Sequence, residues 1–150
     1  MSSEADDRRF LDAAIAQALE GRDEGGIPIG SVLVVGGRVV GEGRNRRVQD
    51  GDPIMHAEIA CLQNAGRLRS YRNATLYSTL MPCYLCAGAI VQFQIPRVVV
   101  GDLESFTGAR DFLVSNRVEL HDLRDKRCMV LMEEFIKANP DLWKEDIGAL

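Results

Sequence analysis

Apolar residues recur at Phe10, Leu11, Ala14, Ile15, Ala18 and Leu19. That spacing puts one stripe on a helix, so the chain predicts an amphipathic helix over Asp7–Leu19 with Gly21 as its stop. After the loop GRDEGGIP, two β-prone runs, Gly30–Val35 and Arg38–Arg44, flank Gly36-Gly37. A Gly-Gly pair suits the positive φ angles of a tight turn, and a β-hairpin follows. Asn45–Met55 reads as a polar loop containing Gly51 and Pro53, and Ala57–Ala65 as a helix stopped by Gly66. Ala74–Thr79 is expected to be a short strand, Cys83–Gln94 a buried helix of small and apolar residues ended by Pro96, and Arg97–Gly101 a nearly continuous apolar strand. A run of that last kind is covered on both faces, as in parallel sheets. Strand, helix and strand predict a right-handed βαβ crossover. Further on come a short helix over Gly108–Val114, a short strand over Val118–Leu120, and a helix over Asp125–Ala138 with Met129, Leu131, Met132, Phe135 and Ile136 facing inward. Pro140 ends that helix, and DLWKEDIGAL adds a turn or two. The pattern implies an α/β fold in three layers, a mixed sheet of about five strands between helices.

Composition narrows the class. A chain of 150 residues fits one domain, residues 1–150, and no repeat, linker or low-complexity tract divides it. With 46% hydrophobic and 27% charged residues and a mean hydropathy of −0.09, it is expected to be soluble and globular. The apolar runs fall far short of the roughly 20 residues that cross a bilayer. Residues Met1–Arg9, MSSEADDRR, lack the apolar core of a secretory leader, which makes the cytoplasm the expected location. Eighteen Lys and Arg against 22 Asp and Glu give a net charge of −4, so no global field favours a polyanion and nucleic acid is an unlikely partner. Four cysteines are too few for a disulfide scaffold here, and reduced thiols or metal ligands are expected.

The chemistry concentrates in His56-Ala57-Glu58 and Pro82-Cys83-Tyr84-Leu85-Cys86, each at the start of an expected helix. Cys83 and Cys86 stand at i and i+3, so their sulfurs leave one face of a helix about a turn apart and can share a metal. The positive end of the helix dipole favours the thiolate that zinc requires. With His56 the set is Cys₂His, and three protein ligands leave a fourth tetrahedral position open, as in catalytic zinc sites. Glu58 lies two residues from His56, roughly 200° around a regular helix, so both can face one metal only if His56 precedes the helix. Glu58 would then shuttle protons. Alternatives remain at this point: a redox dithiol for Cys83 and Cys86, and a merely polar helix start for His56. Cys61 and Cys128 lie on expected core helices and read as small hydrophobes, and His121 as a surface or edge residue.

His-x-Glu followed by Pro-Cys-x-x-Cys is a zinc deaminase signature. From Gly25 onward the chain resembles the cytidine and deoxycytidylate deaminase superfamily, and within it the fungal-type cytosine deaminases. The stretches that carry the likeness are Gly25–Gly30, Gly43-Arg44-Asn45, His56-Ala57-Glu58, Pro82–Ile90, Ile95-Pro96-Arg97 and Trp143–Gly148. Ala57 stands where those deaminases usually carry Gly, and Tyr84 where an acidic residue is usual. The resemblance implies a cytidine-deaminase-like fold, one Zn²⁺ per chain on His56, Cys83 and Cys86, and Glu58 as proton carrier. It implies a free-base substrate, cytosine converted to uracil and ammonia in pyrimidine salvage, and a homodimer. Asn45 and Asp146 would hydrogen-bond the base, Phe106, Trp143 and Ile29 would enclose it, and Ala57 would border it. Guanine, isocytosine or an amino-triazine are alternative substrates, and a structural zinc or nucleotide-binding module is the non-enzymatic alternative. A tRNA adenosine deaminase would need a basic surface, whereas the tail Asn139–Leu150 is acidic and the clustered cations are Arg44, Arg46 and Arg47. Asn45 could instead be a turn residue, and Trp143 a core anchor.

Overall fold

The first helix begins before its apolar stripe. In the computed structural model, which describes residues 3–150, α1 spans Glu4–Asp23 because Ser3 closes a capping box. Ser3 Oγ accepts from the Asp6 backbone N–H and the Asp6 carboxylate accepts from that of Ser3. The other end corrects the expected stop at Gly21: the helix runs through Gly21, and the left-handed residue that follows it is Gly25, at φ +85°. Gly21 is buried, and the Arg44 stem lies 3.5 Å from where its Cβ would stand. Residues 1 and 2 of the segment read for a leader lie outside the described residues.

Strands β1 (Gly30–Val35) and β2 (Arg38–Arg44) form the expected hairpin, with Gly36 and Gly37 at φ +59° and +76°. The register slips by one residue opposite Leu33 and Val34, leaving Val40 as a bulge. The loop that follows contains one short helix, α2 (Arg47–Asp50), closed by left-handed Gly51. Next come α3 (Ala57–Ala65), β3 (Ala74–Ser78), α4 (Tyr84–Gln92) and β4 (Arg97–Val100). Then follow α5 (Arg110–Ser115), β5 (Glu119–Asp122), α6 (Lys126–Ala138) and α7 (Pro140–Asp146). Several boundaries differ from expectation by one or two residues. Cys83 caps α4 from outside, Gly108 at φ +55° delays α5, and β5 extends past its single apolar residue because it is an edge strand.

The sheet order is β2-β1-β3-β4-β5. β1 is antiparallel to β2 and β3, while β3, β4 and β5 are parallel, so the expected βαβ unit is β3-α4-β4. Strand alternation divides the core into two layers. Val32, Val34, Tyr77 and Val99 face Phe10, Leu11, Ala14 and Ile15 of α1, whereas Leu33, Leu76, Val98 and Val100 face Cys61 of α3, Ala87 and Ile90 of α4 and Leu113 of α5. Glycines in β2 let α3 press onto the sheet: a Cβ at Gly43 would collide with the Cys61 backbone N, and one at Gly41 would stand 2.6 Å from the Cys61 carbonyl. A third cluster, Ile27, Ile29, Ala57, Leu80, Met132, Phe135 and Trp143, closes one end of the sheet. No helix among the described residues is long and apolar enough to cross a membrane.

At the opposite end Arg97 binds both oxygens of buried Asp7, at 2.9 and 2.7 Å, and Asp7 also accepts from the Tyr77 hydroxyl at 2.6 Å. Burial works to raise the Asp7 carboxyl, but the hydrogen bonds from Arg97 and Tyr77 outweigh it and the net shift is downward. A carboxyl whose pKa falls on folding stabilises the fold above its unfolded pKa, and that contribution is lost as the pH drops through the folded value. Asp7→Asn is therefore expected to destabilise the protein by about 2–3 kcal/mol at pH 7 in urea titrations. The difference from wild type should shrink by pH 3, and an equal difference at both values would show that the ion pair is not its source.

Candidate active site

Strands β2, β3 and β4 all end at one edge of the sheet, where open α/β folds place their sites. Helix α3 leaves from the end of β2 through the α2 loop, and α4 from the end of β3, so their N-termini meet there. His56 is the N-cap of α3, with extended φ −71° and ψ 163°, and Cys83 is the N-cap of α4, at −76° and 179°. The extended backbone at His56 frees it from the helical rotation, and both His56 and Glu58 line one cavity. His56 Nδ1 lies 3.4 Å from Cys83 Sγ and 3.6 Å from Cys86 Sγ, and the sulfurs are 3.8 Å apart. All three donor atoms fall within 4.8 Å of one another, and the two sulfurs and one imidazole form a donor set that fits a single Zn²⁺. Cys61 and Cys128 are buried elsewhere, and His121 is exposed on edge strand β5.

The electrostatics suit metal capture. Hydrogen bonding with Cys86 and with His56 outweighs burial and lowers Cys83 to about 4. Burial disfavours a charged His56, but its contact with the Cys83 thiolate and the nearby carboxylates of Asp146 and Glu58 raise the ring to about 9. Cys86 is pushed upward by its bond to the Cys83 thiolate and by burial. Glu58 is pushed up to about 7, first by burial and then by the Cys83 charge, with His56 opposing.

The cavity is lined by Ile29, Asn45, His56, Glu58, Leu80, Met81, Cys83, Phe106, Trp143, Asp146 and Ile147. Phe106 and Trp143 meet edge to face, with centroids 5.4 Å apart. Asn45 Nδ2 donates to Asp146 Oδ1 at 3.3 Å, and the same oxygen lies 3.5 Å from His56 Nε2. Burial raises the Asp146 carboxyl, partly offset by His56, Asn45 and Arg47. The turn reading of Asn45 also has a basis, since its Oδ1 accepts from the Arg47 backbone N–H at 3.0 Å. Trp143 likewise belongs both to the third core cluster and to the cavity wall. Ala57 is fully buried in that cluster but does not line the cavity, and Tyr84 is 70% exposed. Leu80, Met81 and Ile147 also line the cavity, with no spacing or motif in the sequence that marks them. Leu80 and Met81 occupy the strand-to-helix loop before Pro82, the default position for a ligand in this architecture.

Residues 4–102 match the family described as the cytidine and deoxycytidylate deaminase zinc-binding region, and the chain belongs to that family. It is 44% identical to the cytosine deaminase of Candida albicans over 146 residues, covering 95% of this chain and 97% of that one. A tRNA-specific adenosine deaminase of Buchnera aphidicola is 33% identical over 143 residues, 87% of this chain and 94% of its own. A solved structure from studies of A-to-I editing by tRNA:A34 deaminases superposes with a TM-score of 0.72 at 28% identity, covering 83% of this chain and 99% of that one.

Zinc requires deprotonated ligands, so its binding should expel the His56 and Cys86 protons. Calorimetry at pH 7.5 in buffers of different ionisation enthalpy is expected to show release of about two protons per zinc, falling toward one above about pH 9, where His56 is already neutral. Cys86→Ala should lose most of its zinc while Cys61→Ala keeps it. Full occupancy in Cys86→Ala would remove the site.

Proposed function

We propose that the protein is a zinc-dependent hydrolytic deaminase of a free nucleobase, converting cytosine and water to uracil and ammonia, with residues 1–150 acting as one catalytic domain. The observation that carries this reading is the position of α7, which sets Trp143, Asp146 and Ile147 into the same cavity wall as His56, Glu58 and Cys83. A small enclosure with apolar sides and few polar groups suits a planar ring. Its full-length likeness to a cytosine deaminase supports the same substrate.

His56, Cys83 and Cys86 would hold a Zn²⁺, which would supply the Lewis acidity that makes water a usable nucleophile near neutral pH. Glu58 takes the proton of the attacking water, passes it to the ring nitrogen, and then carries the second water proton to the departing amino group. A carboxyl raised by burial can do both, giving up and taking back a proton in turn. After its internal bonds, Asn45 retains one N–H and one acceptor position for the ring edge. Asp146 uses Oδ1 internally and leaves Oδ2 for an amino group. Phe106, Trp143 and Ile29 exclude water around the ring.

The cations weighed for RNA binding are occupied: Arg44 pairs with Glu24 and Glu20, Arg46 with Asp50 and Glu24, and Arg47 with Glu145. A second basic group, Arg67, Arg69 and Arg72, follows α3, at the other end of that nine-residue helix from His56. This disposition favours a small-molecule substrate. Homodimerisation finds support in exposed apolar residues before α3 (Ile54), in the first turn of α4 (Tyr84, Leu85) and just after it (Phe93). Cytoplasmic pyrimidine salvage is the setting we assign to the activity.

An ammonia-release screen of cytosine, isocytosine, guanine, cytidine and adenine tests the assignment. Cytosine should give the highest kcat/KM, and cytidine far less, because a ribose on the ring would meet α7. A clear preference for the nucleoside would overturn the reading. Asp146→Ala should lower kcat/KM for cytosine by about 1–3 kcal/mol with Tm little changed.

Glu58→Ala is expected to keep its zinc and its fold while losing at least about 10⁴-fold in turnover, since one carboxyl serves both halves of the reaction. Near wild-type rates in that variant would exclude Glu58 as the proton carrier.

A further inference from the structure

Three separate segments each bring a residue to the cavity: Asn45 after β2, His56 before α3, and Asp146 at the end of α7. One residue, Arg47, touches all three through its backbone and its guanidinium. The Arg47 backbone N–H donates to Asn45 Oδ1 at 3.0 Å, fixing the amide so that its nitrogen faces Asp146. Arg47 Nη1 donates to the Pro53 carbonyl at 2.8 Å, in the loop that leads into His56. Its Nη2 lies 3.6 Å from Glu145 Oε1, on the residue that precedes Asp146. The Arg47 side chain is only 19% exposed, so its stem is packed while its head reaches two acceptors. Its neighbours act differently. Arg46 spends its guanidinium on Asp50 and Glu24, and Arg44 on Glu24 and Gln17, so both serve the junction of α1 with β2 and α2.

We propose that Arg47 is a positioning residue, the clasp that holds the C-terminal helix over the cavity and thereby sets where Asp146 and Trp143 stand. This rests on reading the cavity as the substrate site. A forked guanidinium can serve the Pro53 carbonyl and Glu145 together, whereas an ammonium serves one of them well. The Glu145 arm is half exposed and open to screening by salt, so the clasp is releasable and α7 can part from the α2 loop for substrate entry and product exit.

Trp143 is the only tryptophan in the chain and lies on α7, so its fluorescence reports the docking of that helix without any substrate. In the zinc-loaded full-length protein, acrylamide quenching of Trp143 should rise roughly two- to five-fold in Arg47→Ala. Glu145→Gln should give a smaller rise, and Arg47→Lys a value between wild type and Arg47→Ala. Raising the salt to about 1 M should increase quenching in wild type but not in Arg47→Ala. Zinc content should be unchanged, and with cytosine KM should rise several-fold while kcat changes less. Unchanged quenching in a folded, zinc-loaded Arg47→Ala overturns the proposal. Should that variant fail to fold, Glu145→Gln decides on the same terms, since it changes a half-exposed side chain nearly isosterically. Absence of cytosine turnover by wild type would overturn the substrate reading and leave the quenching result to judge the clasp separately.

Discussion

Everything at the cavity depends on two helices starting at the same point. Because β1 is antiparallel to both β2 and β3, those two strands run the same way, and the chain leaves both at one edge of the sheet. Helices α3 and α4 then lie on the same face, sharing the core formed by Cys61, Ala87 and Ile90. Their N-termini must converge, and each begins with an extended N-cap that carries a ligand-type side chain. The reversed β1 brings its own start to that edge, which is why Ile29, just before it, lines the cavity. Small residues make the convergence close enough: Gly41 and Gly43 admit the α3 backbone where any Cβ would collide. A larger residue at either position would push His56 away from sulfurs that must stay within 4 Å.

Convergence also settles the charges. Two helix N-termini place partial positive charge beside the sulfurs, and a buried thiolate at Cys83 becomes tenable with protonated His56 against it. That pairing keeps the two side chains together close to neutral, and protons must leave before an imidazole and two thiolates can serve one cation. Glu58 feels the same thiolate from the other side, and low solvation turns an ordinary carboxyl into one that titrates near neutrality. His56, Cys83, Cys86 and Glu58 thus form one coupled electrostatic unit, so a substitution at any of the four alters the others.

The third core cluster joins fold to specificity. Ile27, Leu80, Met132 and Phe135 form a floor from the α1–β1 loop, the β3–α4 loop and α6, and Trp143 settles on it while presenting its other side to the cavity. Burying one indole there both anchors the chain end and walls the site, and the turn at Pro140 directs α7 back across the opening. The arginines of the Arg44–Arg47 stretch become internal ties in the same arrangement, which removes them from the surface that a polyanion would use.

Much of this was legible along the chain. Hydrophobic period fixed the order of the main helices and strands, and glycine pairs and prolines fixed most of their ends, because these preferences act over a few residues. The ligand types and their spacing pointed to His56, Glu58, Cys83 and Cys86, and the resemblance pointed to Ile29, Asn45, Ala57, Phe106, Trp143 and Asp146. Local rules failed where distant partners decide. Gly21 lies buried inside the helix beside the Arg44 stem, and Ser3 extends α1 by a capping bond outside the apolar stripe. Ala57 is adjacent to His56 in sequence, yet its side chain turns into the core instead of the cavity. Periodicity cannot place Leu80, Met81 or Ile147 at the cavity, nor bring Arg47 to Glu145 across about a hundred residues. Those contacts arise only when the strand directions set the shared edge, since a side chain's neighbours beyond one helical turn are chosen by packing and not by sequence distance.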